Sequence, residues 1–148
     1  MALLSKIFGN AGQPSMTLEV EGLPAIAQPD EDLIRKTIME LRGAGPSFAS
    51  LTDRQGNYVQ VAGGRPWVMV EWRQVSPLIH RRAHTTSGRR PYKDGAKINF
   101  GAGSIALQAD EWLLQKQAFE IFLAFLRMED FPDFVRWRTI NDQLGLKD

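Results

Sequence analysis

The sequence has no cysteine, only two histidines and no long apolar run. The absence of thiols excludes disulfide bridges, thiolate nucleophiles and cysteine-based metal sites. The apolar stretches fall well short of the roughly 18 residues that indicate a membrane span. Residues 1–13 also lack the apolar stretch of about 7 to 15 residues that marks a secretory signal. We therefore expect a cytoplasmic protein that does not enter a membrane.

The length of 148 residues and the hydrophobic fraction of 43% favour a folded domain over a disordered chain. A chain of this size buries roughly two-thirds of its unfolded surface without a metal or disulfide. No internal repeat, low-complexity segment or long linker divides it. We predict a single domain over residues 16–148, preceded by a flexible N-terminal segment at residues 1–15.

Two hydrophobic periods alternate along the chain. A helical period predicts a helix at residues 30–42, capped by Asp30, and another at residues 113–127. A period of two predicts strands at residues 16–21, 48–52, 58–62, 67–75 and 78–85, and one or two further strands within residues 96–100 and 104–107. The fold class is therefore α+β, with an antiparallel sheet of about five to six strands packed on one face by two main α-helices.

The strand at residues 67–75 is the longest, and its alternation predicts that Val68, Val70 and Trp72 face the core. The apolar tail at residues 131–140 is expected to pack back on the domain, because so much apolar surface is rarely left exposed. Trp137 then anchors the tail, and the arginines on either side of it, Arg136 and Arg138, lie in water.

Chemical motifs are few. His80 and His84 lie four residues apart on a predicted strand, about 13 Å from each other, which is too far for one metal ion. The glycine pattern at residues 101–106 is followed by a strand pattern and not by the helix of a nucleotide-binding unit, so it indicates a turn. No serine lies in a nucleophile elbow. We predict no enzymatic activity, no catalytic residue, no metal and no cofactor.

The near-neutral net charge of +1 hides an uneven distribution: residues 1–64 carry −2, residues 65–100 carry +6 and residues 101–148 carry −3. From Arg73 to Lys93 there are six bases, two histidines and no acid. These bases could pair with the acids of the flanks, contact an acidic protein, or neutralise phosphates while Trp67 or Tyr92 stacks on a base.

The assembled pattern resembles a known class of proteins. A capped helix, then TDRQGNYVQVAGG, WVMVEWRQV, FEIFLAFLR and FPDFVRWRTI, is similar to the small immunity proteins of bacterial polymorphic toxin systems. The resemblance covers about residues 30–140. It implies a protein that binds one cognate toxin, delivered by contact-dependent or type VI secretion, and neutralises it by covering its active site or substrate entrance. Many such proteins are acidic, and this chain departs from that pattern.

The expected toxin-binding surface combines one face of the longest strand with the basic segment, since aromatic and arginine side chains anchor tight interfaces. Its candidate residues are Trp67, Met69, Glu71, Arg73, His80, Arg82, His84, Arg89, Arg90 and Tyr92. A second candidate surface is acidic and comprises Asp30, Glu31, Asp32 and Asp53. Reversing the charge of Arg73, Arg82 and Arg90 is expected to leave the fold intact, because exposed bases contribute little to stability.

Two alternative functions remain open. The first is a nucleic-acid-binding module that uses residues 81–93, which salt-dependent binding to oligonucleotides would reveal. The second is a chaperone or adaptor for a secreted effector, which would assist export of the effector and not inhibit it.

Overall fold

Strands dominate the architecture. A computed structural model describes residues 15–147, and the predicted N-terminal segment lies outside them except for Ser15. The strands of the described residues are β1 Met16–Val20, β2 Ile26–Ala27, β3 Phe48–Asp53, β4 Tyr58–Gly64, β5 Trp67–Val75, β6 Leu78–Thr85, β7 Lys97–Phe100, β8 Gly103–Ala106, β9 Leu113–Leu114 and β10 Val135–Thr139. The α-helices are α1 Glu31–Met39, α2 Gln115–Arg127 and α3 Asn141–Leu144, and a 3₁₀ turn spans Ala109–Glu111.

The main sheet has eight strands and is antiparallel throughout. Seven strands follow the order β10-β6-β5-β4-β3-β1-β2, and β9 adds to the first residues of β5. Chain neighbours β3, β4, β5 and β6 pair in succession, as short hairpin connections favour. The apolar tail returns as β10 and pairs with β6 along its whole length. The prediction that this tail packs back is confirmed.

Helices α1 and α2 cover one face of the sheet. The Asp30 carboxylate accepts a hydrogen bond from the backbone N–H of Leu33 and caps α1. Ile34 and Ile38 of α1 and Phe122 of α2 are fully buried against Val68 and other valines of the central strands. The predicted orientation of β5 is confirmed, because Val68 and Val70 lie in this core and Trp72 packs against it.

The opposite face of the sheet is partly covered as well. Strands β7 and β8 form a separate hairpin, and Ile98 of that hairpin packs on Ala62 and Met69 together with Leu107 and Trp112. A second, smaller apolar cluster therefore lies on the side of the sheet that the sequence left open to solvent. The two helices cover one face as predicted, and the β7–β8 hairpin covers part of the other.

The fold class is mixed α+β as predicted, but the strand count is larger than the expected five to six. The additional strands of the main sheet are β2, β9 and β10, of two to five residues each. β9 and β10 pair with strands distant in sequence, and β2 has only two residues, so alternation does not reveal these strands. Among the described residues, no helix is both long and apolar enough to cross a membrane.

Candidate partner-binding site

A row of polar side chains crosses four strands on the face opposite the helices. The register places Gln60 of β4 opposite Glu71 of β5, Glu71 opposite Arg82 of β6, and Arg82 opposite Arg138 of β10. Directly paired residues have Cβ atoms about 4.5–5.5 Å apart, so their side chains interact. The sheet register thus assembles a polar network from four separate segments of sequence.

Glu71 is the centre of this network and is only 4% exposed. Its Oε2 accepts two hydrogen bonds from Arg82, at 2.9 and 2.8 Å. Its Oε1 accepts from the Gln60 amide at 2.7 Å and lies 2.9 Å from His80 Nε2. Burial by itself would raise the pKa of Glu71, but the hydrogen bond from His80 and the charge of Arg82 outweigh burial and hold that pKa below its usual value.

Two arginines lie directly opposite each other at Arg82 and Arg138, an arrangement that repulsion disfavours. Glu111 of the 3₁₀ turn resolves it. One carboxylate oxygen lies 3.6 Å from Arg82 Nη1 and the other accepts a hydrogen bond from Arg138 Nη1 at 2.9 Å. Arg138 also forms a two-point contact with Asp110, at 3.1 and 3.0 Å. The turn over this face therefore supplies the counter-charges.

The pKa of Asp110 is lowered, mainly because Arg138 hydrogen-bonds its carboxylate. The same hydrogen bonds, to Asp110 and Glu111, raise the pKa of Arg138. His84 adds to this end of the network, since its Nδ1 lies 3.4 Å from Asp110 Oδ2. Arg138, expected in water, is thus held by two carboxylates, whereas Arg136 is exposed as predicted.

The hydrogen bonds of His80 fix its tautomer. Arg73 Nε lies 2.9 Å from His80 Nδ1, and a guanidinium can only donate. His80 Nδ1 is therefore the acceptor, and the ring proton lies on Nε2, which donates to Glu71. Both ring nitrogens are engaged, so His80 offers no free base. Among residues 15–147, no group of three or more histidines and carboxylates could hold a metal ion.

This polar network corrects part of the sequence-based surface. Met69, Glu71, His80 and Arg82 are at most 4% exposed, so a partner cannot reach their side chains. Arg82 is a buried ion-pair partner, and reversing its charge would disrupt the fold, contrary to expectation. One of the three interpretations of the basic segment was that its bases pair with acids of the flanking segments. Arg82 fits this interpretation, because it forms an ion pair with Glu111.

The other candidates of that surface are accessible to different degrees. Arg73 and His84 are half-buried and hydrogen-bonded or ion-paired within the network. Arg90 is exposed, but its guanidinium holds the end of β6 by donating to the hydroxyl and the carbonyl of Thr85. Arg89 is exposed, and Trp67 and Tyr92 lie elsewhere, in a cleft.

That cleft, with a volume of about 420 Å³, lies beside the start of β5. Its charged and aromatic lining consists of Arg42, Arg65, Trp67, Tyr92, Lys97 and Trp112, and we call it the basic cleft. Among the described residues, the lining contains three cations and three aromatic rings but no carboxylate. The Tyr92 and Trp112 rings are in contact, with centroids 4.6 Å apart, and Tyr92 is 48% exposed.

Four separate segments of the chain build the basic cleft. Arg65 lies in the turn between β4 and β5, and Lys97 begins the β7–β8 hairpin. Arg42 follows α1 and comes close to β4 only because residue 64 is glycine: a Cβ at Gly64 would collide with the backbone of Arg42 and Gly43. This close approach brings the first cation beside the other two.

The cations of the basic cleft have few partners of their own. Arg42 Nε reaches the Gly45 carbonyl at 3.3 Å, and Arg65 Nη2 reaches the Met39 carbonyl at 3.4 Å; both contacts are long. The ion pairs within residues 15–147 involve Arg35, Arg82, Arg127, Arg138 and the two histidines. Arg42, Arg65 and Lys97 thus lack a carboxylate partner in the described part of the chain.

The second, acidic candidate surface has structural roles throughout. Asp30 caps α1, Asp32 pairs with Arg35 at 2.9 Å and Glu31 pairs with Arg127 at 2.8 Å. Asp53 closes the β3–β4 hairpin by accepting hydrogen bonds from the backbone of Gln55 and Asn57. Each of the four carboxylates thus has a structural role within the chain, and no partner protein is needed to explain it. Asp30 and Asp32 are nevertheless exposed.

A larger groove of about 670 Å³ lies near the C-terminal end of α2. Its apolar walls include Trp72, Phe125 and Phe131, and Asp53 and Glu129 are among its polar lining residues. Because its lining includes a base, Arg54, beside these acids, the groove has no strong preference for a ligand of either charge. It is therefore a weaker candidate than the basic cleft.

Sequence reasoning identified Trp67 and Tyr92 but missed Arg42, Arg65, Lys97 and Trp112. The missed cations are single bases separated along the chain, so a search for a dense basic run passes over them. The one available signal was the excess of bases over acids across residues 65–100, which includes Arg65 and Lys97. No protein-family model matches this chain, and no curated protein matches it.

Proposed function

We propose that this chain is an immunity protein that binds a cognate secreted antibacterial toxin and neutralises it in the cytoplasm of the producing bacterium. The observation that carries the proposal is the basic cleft, lined by three aromatic rings and by three cations that have no carboxylate partner within residues 15–147. Aromatic and arginine side chains are enriched among the residues that dominate binding energy at protein interfaces. The toxin is held by contact, and the chain contributes no chemistry of its own.

The surroundings of the cleft support a binding role. The sheet beside it is held by the polar network and by two apolar clusters, and Trp67 and Trp112 pack in the second of these clusters. A preorganised surface loses less conformational entropy on association, and affinity gains accordingly. The ionisable groups of the polar network are hydrogen-bonded and ion-paired with one another, so their role is to stabilise the fold.

Co-expression with the toxin tests this proposal. The candidate toxin is the product of the neighbouring open reading frame, expressed in cells with or without this chain. We expect growth only when the chain is present, and a stable complex on co-purification. Reversing Arg42, Arg65 and Lys97 to glutamate should abolish protection. A matched control reverses three exposed bases outside the cleft, Lys36, Arg136 and Lys147, and should retain it.

Other outcomes would point to the alternatives. Equal toxicity with and without the chain, combined with reduced export of the effector in its absence, supports a chaperone or adaptor. Tight, salt-sensitive binding to oligonucleotides supports a nucleic-acid-binding module. Protection that survives reversal of the cleft would leave the immunity function standing and move the toxin-binding surface elsewhere.

A further inference from the structure

We infer that the basic cleft receives an acidic segment of the partner, with a carboxylate between the three cations and a neighbouring apolar side chain against the aromatic rings. This inference rests on the proposed function and names the chemistry that the toxin must present. It follows from what the lining contains, from what it lacks and from its size.

The charge balance of the cleft is the first step. Arg42, Arg65 and Lys97 line one small space with no carboxylate among them, although other arginines of the described chain are paired with acids. Like charges in a confined site repel one another, and a bound anion removes that repulsion. Arginine also forms two-point contacts with carboxylates, as Arg138 does with Asp110 here.

The aromatic lining is the second step. Tyr92 is about half exposed and rests on Trp112, while Trp67 is partly exposed at the start of β5. These rings form an apolar wall beside the cations. A volume of about 420 Å³ leaves room for one or two side chains of a partner. An acidic residue followed by an apolar or aromatic one satisfies both parts of the lining.

A long polyanion fits this surface less well than a short acidic segment. Glu40 lies two residues before Arg42, Asp94 lies two residues after Tyr92, and both acids are exposed. Each acid lies within two residues of a cleft residue along the chain, and carboxylates near a binding site repel phosphates. A peptide can place one carboxylate in the cleft and carry other side chains outside it.

Short peptides test the inference directly on the full chain. The probes are an acidic peptide in which aspartate and glutamate alternate with phenylalanine, its counterpart with asparagine and glutamine, and a thymidine oligonucleotide. Binding is followed by NMR through the indole N–H signals of the four tryptophans. Trp67 and Trp112 line the cleft, whereas Trp72 and Trp137 pack on the helix-side core and serve as internal references.

We expect the acidic peptide to shift the Trp67 and Trp112 signals and to leave Trp72 and Trp137 unchanged. Raised salt should weaken this binding, and the triple substitution Arg42→Gln, Arg65→Gln and Lys97→Gln should weaken it about tenfold or more. No shift at Trp67 and Trp112 would overturn the inference. So would equal binding of the amide peptide, or tighter binding of the oligonucleotide at the same two tryptophans.

Failure of the inference and failure of the proposed function are distinguishable. If the acidic peptide does not bind, but charge reversal of the cleft abolishes protection against the toxin, the acidic-segment chemistry is wrong and the immunity function stands. If the peptide binds in the cleft, but the chain neither binds nor neutralises the toxin, the immunity function is wrong and the chemistry of the cleft stands.

Discussion

Two regions of the molecule use arginine in opposite ways. In the polar network, Arg82 and Arg138 are surrounded by carboxylates and hydrogen-bonded at 2.8–3.1 Å. In the basic cleft, the hydrogen bonds of Arg42 and Arg65 to the described residues are long contacts with backbone carbonyls, at 3.3 and 3.4 Å. The first region has satisfied its charges within the chain and so stabilises the fold. The second has charge left over, which is what a partner can use.

The difference also shows what a count of bases cannot reveal. The densest basic stretch of the sequence contains Arg82, which is buried and paired, whereas the cleft draws on bases that are isolated along the chain. A cation contributes to binding when it is accessible and lacks an internal partner. Both properties depend on which acids fold over it, as Glu111 does over the network.

The largest expected effect comes from breaking the network. Arg82→Met leaves the Glu71 carboxylate buried without its two-point partner, and we expect a loss of about 3–5 kcal/mol in the free energy of unfolding, measured by urea denaturation. Arg65→Met in the cleft is the matched control and should stay within about 0.5 kcal/mol of the parent. Equal losses for the two variants would contradict the contrast between the regions.

A second variant identifies the cause of that loss. Adding Glu71→Gln to Arg82→Met removes the stranded charge, so the double variant should be more stable than Arg82→Met alone. If the double variant is instead the less stable of the two, the loss comes from missing packing and not from an unpaired buried carboxylate.

The next largest effect concerns pH: the stability of the fold should depend on the ionisation of two carboxylates of the polar network. Glu71 and Asp110 have pKa values lowered from 4.5 and 3.8 in the folded chain. The ionised carboxylates therefore contribute fully to the free energy of unfolding above pH 4.5 and 3.8, respectively. This contribution is lost as the pH falls through their lower pKa values in the folded chain. Urea midpoints should decline as the pH falls below about 4.5. The Glu71→Gln variant should decline less, and an identical slope would contradict the assignment.

The smallest expected effect concerns the cleft. The triple substitution of Arg42, Arg65 and Lys97 by glutamine should leave the free energy of unfolding within about 0.5 kcal/mol of the parent, because these cations are exposed and unpaired in the described chain. A large loss of stability would show that these cations support the fold, contrary to the comparison with the network.

Much of the scaffold was predictable because its signals are local. The two main helices, the β3–β4 hairpin and the inward face of β5 follow from hydrophobic periods and from capping or turn residues near in sequence. The short strands β2 and β9 were not predictable, since two residues carry no period. The second apolar cluster was missed because it requires the β7–β8 hairpin to fold over Met69.

The candidate site was less predictable than the scaffold. Alternation correctly placed Trp67, Met69, Glu71 and Arg73 on the face of β5 opposite the helices. It could not show that Met69 and Glu71 are covered there, because the covering residues lie some 30 to 40 positions later. Burial on a second sheet face depends on a long-range contact, which leaves no period in the strand itself.

By itself, the sequence determined the two main helices and the longer strands, and which way their side chains alternate, because backbone preference and hydrophobic period act over a few residues. Only the tertiary structure decided which charges are paired. Sheet register lines up Gln60, Glu71, Arg82 and Arg138, and the close approach at Gly64 brings Arg42 to the cleft. Charge pairing is a matter of distances of a few ångströms between residues far apart in the chain, and folding sets those distances.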